Sequence, residues 1–192
     1  MSSHKQKALF LDRDGVINVD HGYVGKYEHF EFVEGIFEVV RTFQNEGYLP
    51  VVVTNQSGIA RGYYTEKDFH GLMERVQKDF ASHDIKHIPV YYCPHHTQGS
   101  VKKFAIDCQC RKPLPGMLHQ AAKELDIDLD NSILIGDSWR DIEAASAAGL
   151  TKSYYLSHEV ITDEQLSKLS SSHCVSSVAN LFEIIKLLRV TL

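Results

Sequence analysis

No stretch of this chain approaches the ~20 consecutive apolar residues that a membrane-spanning helix needs, and the opening residues, Met1 to Lys7, lack the apolar core of a secretory signal. The expectation is a soluble, cytoplasmic protein. Positive charge is scarce as well: a formal net charge of -5 argues against binding nucleic acid or an anionic membrane surface. It leaves room for a local cationic pocket. There is no internal repeat, low-complexity tract or linker, so residues 1–192 are expected to form a single domain. A chain of that size buries roughly two thirds of its unfolded surface without help from a metal. A monomer is the simplest expectation. Cysteine is sparse, with four residues, and in a reducing compartment these are expected as thiolate ligands or free thiols, not disulfides.

Three of the four nevertheless share one polar loop, CPHHTQGSVKKFAIDCQCRKP, with two histidines. Zinc takes four nitrogen or sulfur ligands in a tetrahedron, and Cys93, one of His95 and His96, Cys108 and Cys110 supply that set. Spacing does not choose between the histidines. With every position filled by protein the zinc would be structural. Cys110 is followed at once by Arg111 and Lys112, so a zinc loop over 93–110 would fix where those cations point. Cys174 stands alone as a free thiol.

Along the chain, short β-branched runs alternate with helical patterns, the sequence form of a parallel sheet covered on both faces. Strands are expected at Ala8–Leu11, 50–54, Val90–Cys93, 132–136 and Lys152–Leu156. Apolar residues at i, i+3, i+4, i+7 spacing predict helices through Ile36, Val39, Val40 and Phe43, and through Phe69, Leu72, Met73, Val76 and Phe80. Thr65 and Asp68 form a capping box for the second of these. The same spacing recurs at Leu118, Ala121, Ala122 and Leu125, and at Leu181, Ile184, Ile185 and Leu188. Asp12, Thr54 and Asp137 lie at strand ends. They converge if the fourth strand lies beside the first, which predicts the order 5-4-1-2-3 with the reversal between strands one and four.

In LFLDRDGVI, Asp12 and Asp14 are two residues apart, and in extended chain they point the same way. Two such anions repel unless a cation lies between them or one keeps its proton. Mg²⁺ suits oxygen ligands of this kind, and Asp137 can complete its shell. Thr54, Asn55, Gln56 and Ser57 leave the second strand with hydroxyls and backbone N–H groups that suit phosphate oxygens. Ser138, beside Asp137, is expected within reach of a substrate. The segment after Asp14 is too short for a separate cap, so the mouth should be open, with Asp20, His21, Gly22 and Tyr23 leaning over it.

The set Asp12-x-Asp14-Gly15-Val16, Thr54-Asn55, Lys112 and Gly136-Asp137-x3-Asp141 resembles the four motifs of the haloacid dehalogenase-like (HAD) superfamily, in its phosphatase branch. The stretches DRDGVINVDHGYV, VVVTNQSGIARG, YYCPHH and CQCRKPLPGML more narrowly resemble the heptose-bisphosphate phosphatases, with the histidinol-phosphate phosphatases as near relatives sharing the metal loop. The resemblance implies an α/β HAD-like Rossmannoid three-layer sandwich without a large cap. It implies a phosphoric monoester hydrolase that removes the C7 phosphate of a heptose bisphosphate in bacterial lipopolysaccharide precursor synthesis. Asp12 would be the nucleophile and Asp14 the general acid and base. Mg²⁺ would be held by Asp12, the Asp14 backbone carbonyl and Asp137. Thr54 and Lys112 would donate to the transferred phosphoryl group, Arg111 would hold a second phosphate, and His95 would be the zinc ligand. The competing readings are hydrolysis of histidinol phosphate and, from a different class, a zinc-stabilised phospholigand-binding module without turnover. The latter gains nothing from paired anions at its phosphate site.

Overall fold

Parallel strands buried on both faces read as continuous apolar runs, and the first strand, Ala-Leu-Phe-Leu, is buried at all four residues. In a computed structural model describing residues 5–191, it lies inside a six-stranded parallel sheet. The elements are β1 (Ala8–Leu11), α1 (Ile36–Asn45), β2 (Leu49–Asn55), α2 (Ser57–Ala60), α3 (Glu66–Ser82), β3 (Val90–Cys93), α4 (Gly116–Glu124), β4 (Ile133–Gly136), α5 (Trp139–Ala148), β5 (Lys152–Leu156), α6 (Asp163–Ser167), β6 (Cys174–Val178) and α7 (Leu181–Thr191). The strand order is β3-β2-β1-β4-β5-β6. The five expected strands keep their expected neighbours and the reversal between the first and fourth. The expected order lacked β6, which pairs outside β5. Its sequence, Cys-Val-Ser-Ser-Val, is short and exposed or half-buried except at Val178, so it carries no apolar run. Cys174, expected only as a free thiol, opens that strand and is exposed.

Alternation along the strands divides the core. Leu9 and Leu11 of β1, Val52 of β2 and Ile133 and Ile135 of β4 face α1, α3 and α7. Ala8, Phe10, Val51, Val53 and Leu134 face α4 and α5. The helical stripes seat as expected: Ile36, Val39, Val40 and Phe43 on one side, Leu118 and Ala121 on the other. Both halves of the Thr65–Asp68 capping box at the start of α3 are formed. Between β1 and α1 there is a single 3-10 turn, Tyr27–His29, with isolated bridges pairing Asn18 with Asp14 and with Phe32. Among the described residues no cap domain stands over the carboxyl ends of the strands. No helix among the described residues is long and apolar enough to cross a membrane.

Candidate active site and metal centres

β1 and β4 are paired with Leu11 opposite Ile135, so the residues that follow them, Asp12 and Asp137, emerge side by side. Asp141 joins them from the first turn of α5. It is buried, and its Oδ2 accepts from the backbone N–H of Ser138 at 3.0 Å in a capping box. One carboxylate oxygen from each of Asp12, Asp137 and Asp141 lies within 4.8 Å of the others. Lys112, 2 % exposed, sends Nζ to Asp12 Oδ1 at 3.0 Å, to Asp141 Oδ1 at 2.7 Å and to the Val53 carbonyl at 2.7 Å. The next residue but two after Asp12 is Gly15, with φ +85°, where a Cβ would run into the Asp137 carboxylate. Only glycine lets the chain turn away under these anions.

The electrostatics of this group call for a cation. Burial, with Asp141 and Asp14 adding, outweighs the pull of Lys112 and lifts Asp12 to about 6. Burial and the charges of Asp12 and Asp141 lift Asp137 to about 7. Burial alone would push the Lys112 ammonium down, but Asp12 and Asp141 hold it above its ordinary value. One ammonium does not neutralise three carboxylates. A hard divalent ion that keeps some waters fits this set of oxygens.

Asp14 is placed differently from the expectation of two carboxylates sharing an ion. Its side chain is not in the carboxylate group; Asp141 is. Its Oδ1 accepts from the guanidinium of Arg13 at 2.6 Å, and from Asn18 Nδ2 at 3.1 Å. Its Oδ2 accepts from Gln56 Nε2 at 3.0 Å. The reason is Arg13, fully buried and donating also to the Val24 carbonyl, which neutralises Asp14 locally. The Asp14 backbone carbonyl remains the atom for the metal role implied by the resemblance.

Thr54 is buried, and its hydroxyl accepts from Gln56 Nε2 at 2.9 Å. Asn55 clasps the backbone of Lys112 with two 3.0 Å hydrogen bonds, one to the carbonyl and one from the N–H. Gln56, expected to touch substrate, is 1 % exposed and holds Thr54 and Asp14 instead. Ser138 caps α5.

These groups floor a cavity of about 380 Å³ whose walls include Asp12, Asp14, Asp20, Gly22, Tyr23 and Asp137. Asn55, Ser57 and Arg111 complete the expected residues that line it. His21 does not: its ring meets Glu31 at 3.0 Å on the surface, a simpler solution for an exposed histidine near an acid. Arg61, Tyr64, His96 and Arg140 also line it and were not anticipated. Arg61 lies within SGIARG and Arg140 beside Asp141, so adjacency to the motifs was the available signal. Arg61 Nη2 is 3.1 Å from His96 Nε2. Burial, with the charges of Arg140 and Arg61 adding, pushes the Arg111 guanidinium down.

β3 ends on buried Cys93, opposite Asn55. Its Sγ lies 3.1 Å from Cys110 Sγ, 3.6 Å from Cys108 Sγ and 3.8 Å from His95 Nδ1, and His95 Nδ1 is 3.4 Å from Cys110 Sγ. A zinc tetrahedron with bonds of about 2.3 Å to sulfur and about 2.0 Å to nitrogen has edges of roughly 3.5–3.8 Å, and this group is compatible with it. The histidine left open by spacing is His95, since His96 is turned to Arg61. Arg111 Nη1 reaches the His95 carbonyl at 3.5 Å, tying the cation to the cluster.

Comparison with known proteins agrees with this fold. The HAD-hydrolase-like family profile matches residues 109–181. D-glycero-beta-D-manno-heptose-1,7-bisphosphate 7-phosphatase of Yersinia pestis is 43% identical over 93% of this chain and 95% of its own. The enzyme of that name from Escherichia coli K12 is 46% identical over 93% of each chain. The structure of D,D-heptose 1.7-bisphosphate phosphatase from B. bronchiseptica, complexed with magnesium and phosphate, superposes with a TM-score of 0.76 at 26% identity, covering 97% of this chain and 99% of that one. The chain belongs to the HAD-like hydrolases, in the heptose-bisphosphate phosphatase family.

Proposed function

We propose that the chain, acting in the cytoplasm as a monomer, removes the C7 phosphate of D-glycero-β-D-manno-heptose 1,7-bisphosphate, giving heptose 1-phosphate and inorganic phosphate. The observation that carries this is the bipolar cavity: carboxylates of Asp12 and Asp137 at its floor and the guanidiniums of Arg61, Arg111 and Arg140 around it. A ligand with two phosphates answers both ends, one to react and one to be held by forked cations. Histidinol phosphate would bring a cationic amine toward the same arginines. A module that only bound phosphate would have no use for the anions beneath it.

In the first step an Asp12 oxygen attacks phosphorus, and the bond to the sugar oxygen breaks as Asp14 gives that oxygen a proton. In the second, Asp14 takes a proton from a water that attacks the aspartyl phosphate, and Asp12 is released. Lys112 keeps Asp12 oriented by their 3.0 Å contact, and Thr54 donates to a phosphoryl oxygen. Mg²⁺, held by Asp12, the Asp14 carbonyl and Asp137, with Asp141 beside it, would supply charge neutralisation to the phosphoryl oxygens. Zn²⁺ on Cys93, His95, Cys108 and Cys110 would be structural. Phosphate release in Mg²⁺ buffer is measured on the α and β bisphosphates, histidinol phosphate and simple sugar phosphates. The β bisphosphate should be preferred, and Asp12→Asn should abolish turnover. Undiminished activity in Asp12→Asn would refute the nucleophile.

A further inference from the structure

One chain of hydrogen bonds beside the reacting groups has no part in the steps above. The hydroxyl of Tyr64, which lines the cavity, donates to Gln56 Oε1 at 2.6 Å. Gln56 Nε2 in turn donates to Asp14 Oδ2 at 3.0 Å and to Thr54 Oγ1 at 2.9 Å. The carboxylate sets the direction throughout. Asp14 Oδ2 accepts, so the amide turns its NH₂ toward it; Oε1 then faces Tyr64, which must donate. Burial lifts the Tyr64 phenol to about 12, so that donor is kept.

The consequences reach both groups of the reaction. Asp14 Oδ1 is already engaged by Arg13 and Asn18, which leaves Oδ2, with its single donor Gln56, as the oxygen free to exchange a proton. Thr54, by accepting from Gln56, keeps its own hydrogen for another acceptor. The local sequence also makes room for the phenol. A Cβ on Gly58 would meet the Tyr64 hydroxyl at 2.8 Å and its ring carbon Cζ at 2.6 Å, and a Cβ on Gly25 would collide with the other end of the ring. Real Cβ atoms do not tolerate such approaches, so the ring is seated in a slot between two glycines.

We infer that Tyr64 is a positioning residue for phosphoryl transfer, acting through the Gln56 amide to orient Asp14 Oδ2 toward the leaving oxygen. The inference rests on the phosphatase reading above and names what aligns its proton donor. Without the phenol, the amide loses the partner that fixes its rotation, and Asp14 loses alignment while Asp12 keeps its contacts. The loss therefore falls on esters whose leaving group needs a proton.

The test compares heptose bisphosphate, whose sugar oxygen must be protonated to leave, with p-nitrophenyl phosphate, whose phenolate leaves without a proton. Tyr64→Phe removes one oxygen and retains the ring; Gln56→Glu replaces the donor facing Asp14 with an acceptor. Each should lower kcat on the sugar ester about tenfold, within the range of positioned proton transfer, with KM within about twofold. For the aryl ester kcat/KM, which reports the first step and not the hydrolysis of the shared aspartyl phosphate, should fall less than about threefold. Equal losses on the two esters, a change in KM alone, or no loss in Tyr64→Phe would overturn the inference. If the unsubstituted chain hydrolyses another alkyl phosphate but not heptose bisphosphate, the substrate reading is corrected and the same comparison is made with that ester.

Discussion

Replacing Lys112 with methionine keeps the length of the stem and deletes its charge. In the native chain the Lys112 side chain is 1 % exposed and its ammonium touches Asp12, Asp141 and the Val53 carbonyl. Removing one partner of a buried ion pair costs about 3–5 kcal/mol. For a chain of this size each kcal/mol moves the thermal midpoint by roughly 2–4 °C, so Lys112→Met should unfold roughly 6–20 °C lower. The loss should depend on pH in a definite direction. The folded Asp12 carboxyl titrates at about 6, raised from 3.8, so the folded state holds a proton that the unfolded state has released. Stability therefore falls as pH rises between those values. Lys112 is the main influence lowering that value, and without it the carboxyl climbs further. The gap between variant and native midpoints should widen from pH 5 to pH 8, and Mg²⁺ should narrow it at pH 8 by restoring a positive charge. Thermal unfolding followed by circular dichroism, at both pH values with and without Mg²⁺, reads all of this. A midpoint within 2 °C of native (less than ~1 kcal/mol), or a loss that shrinks as pH rises, would sink the argument.

Metal analysis should find about one zinc per chain, as one tetrahedral set allows; Cys108→Ala should lose most of it and lower the thermal midpoint, and normal kinetics in a folded zinc-free preparation would separate the loop from catalysis. Arg61→Ala should raise KM for the bisphosphate roughly tenfold or more, the cost of a charged hydrogen bond of ~1.5–3 kcal/mol, while a sugar monophosphate is affected far less in the same steady-state assay. Gly15→Ala should weaken the Mg²⁺ response of the thermal midpoint and destabilise the chain by about 1–3 kcal/mol, since position 15 has left-handed backbone and its new Cβ would displace the Asp137 carboxylate.

Much of this site is legible in the sequence. Asp12 and Asp137 were placed together by one rule, that ligands gather where a parallel sheet reverses, and the pairing of β1 with β4 bears it out. The Cys/His cluster announced itself through residue type, and Cys93, His95, Cys108 and Cys110 do come together in an arrangement compatible with zinc. Asp14 was harder. The guanidinium that turns it away belongs to Arg13, and nothing in a string of letters separates a buried arginine from a solvated one. Asp141 entered only through its motif: it caps a helix and faces Lys112, and the two roles share the same letter in the same place. β6 escaped because its packing is one-sided and its serines carry no apolar signal. Arg61 and Arg140 escaped because the reach of a long side chain is a property of space.

The clasp between Asn55 and the backbone of Lys112 gives the loop's far end a fastening of its own. Cys110 joins the Cys/His cluster, its Sγ 3.1 Å from that of Cys93, whereas the lysine two places on is stapled by an amide that imitates a neighbouring strand. Arg111 sits between the two moorings, and its guanidinium leans on the His95 carbonyl. If the cluster holds zinc and Arg111 the second phosphate, as proposed, stripping the ion would set the arginine adrift while the lysine stays at anchor, so a chelator would blunt recognition of the distant phosphate before it touched the cleavage of the near one.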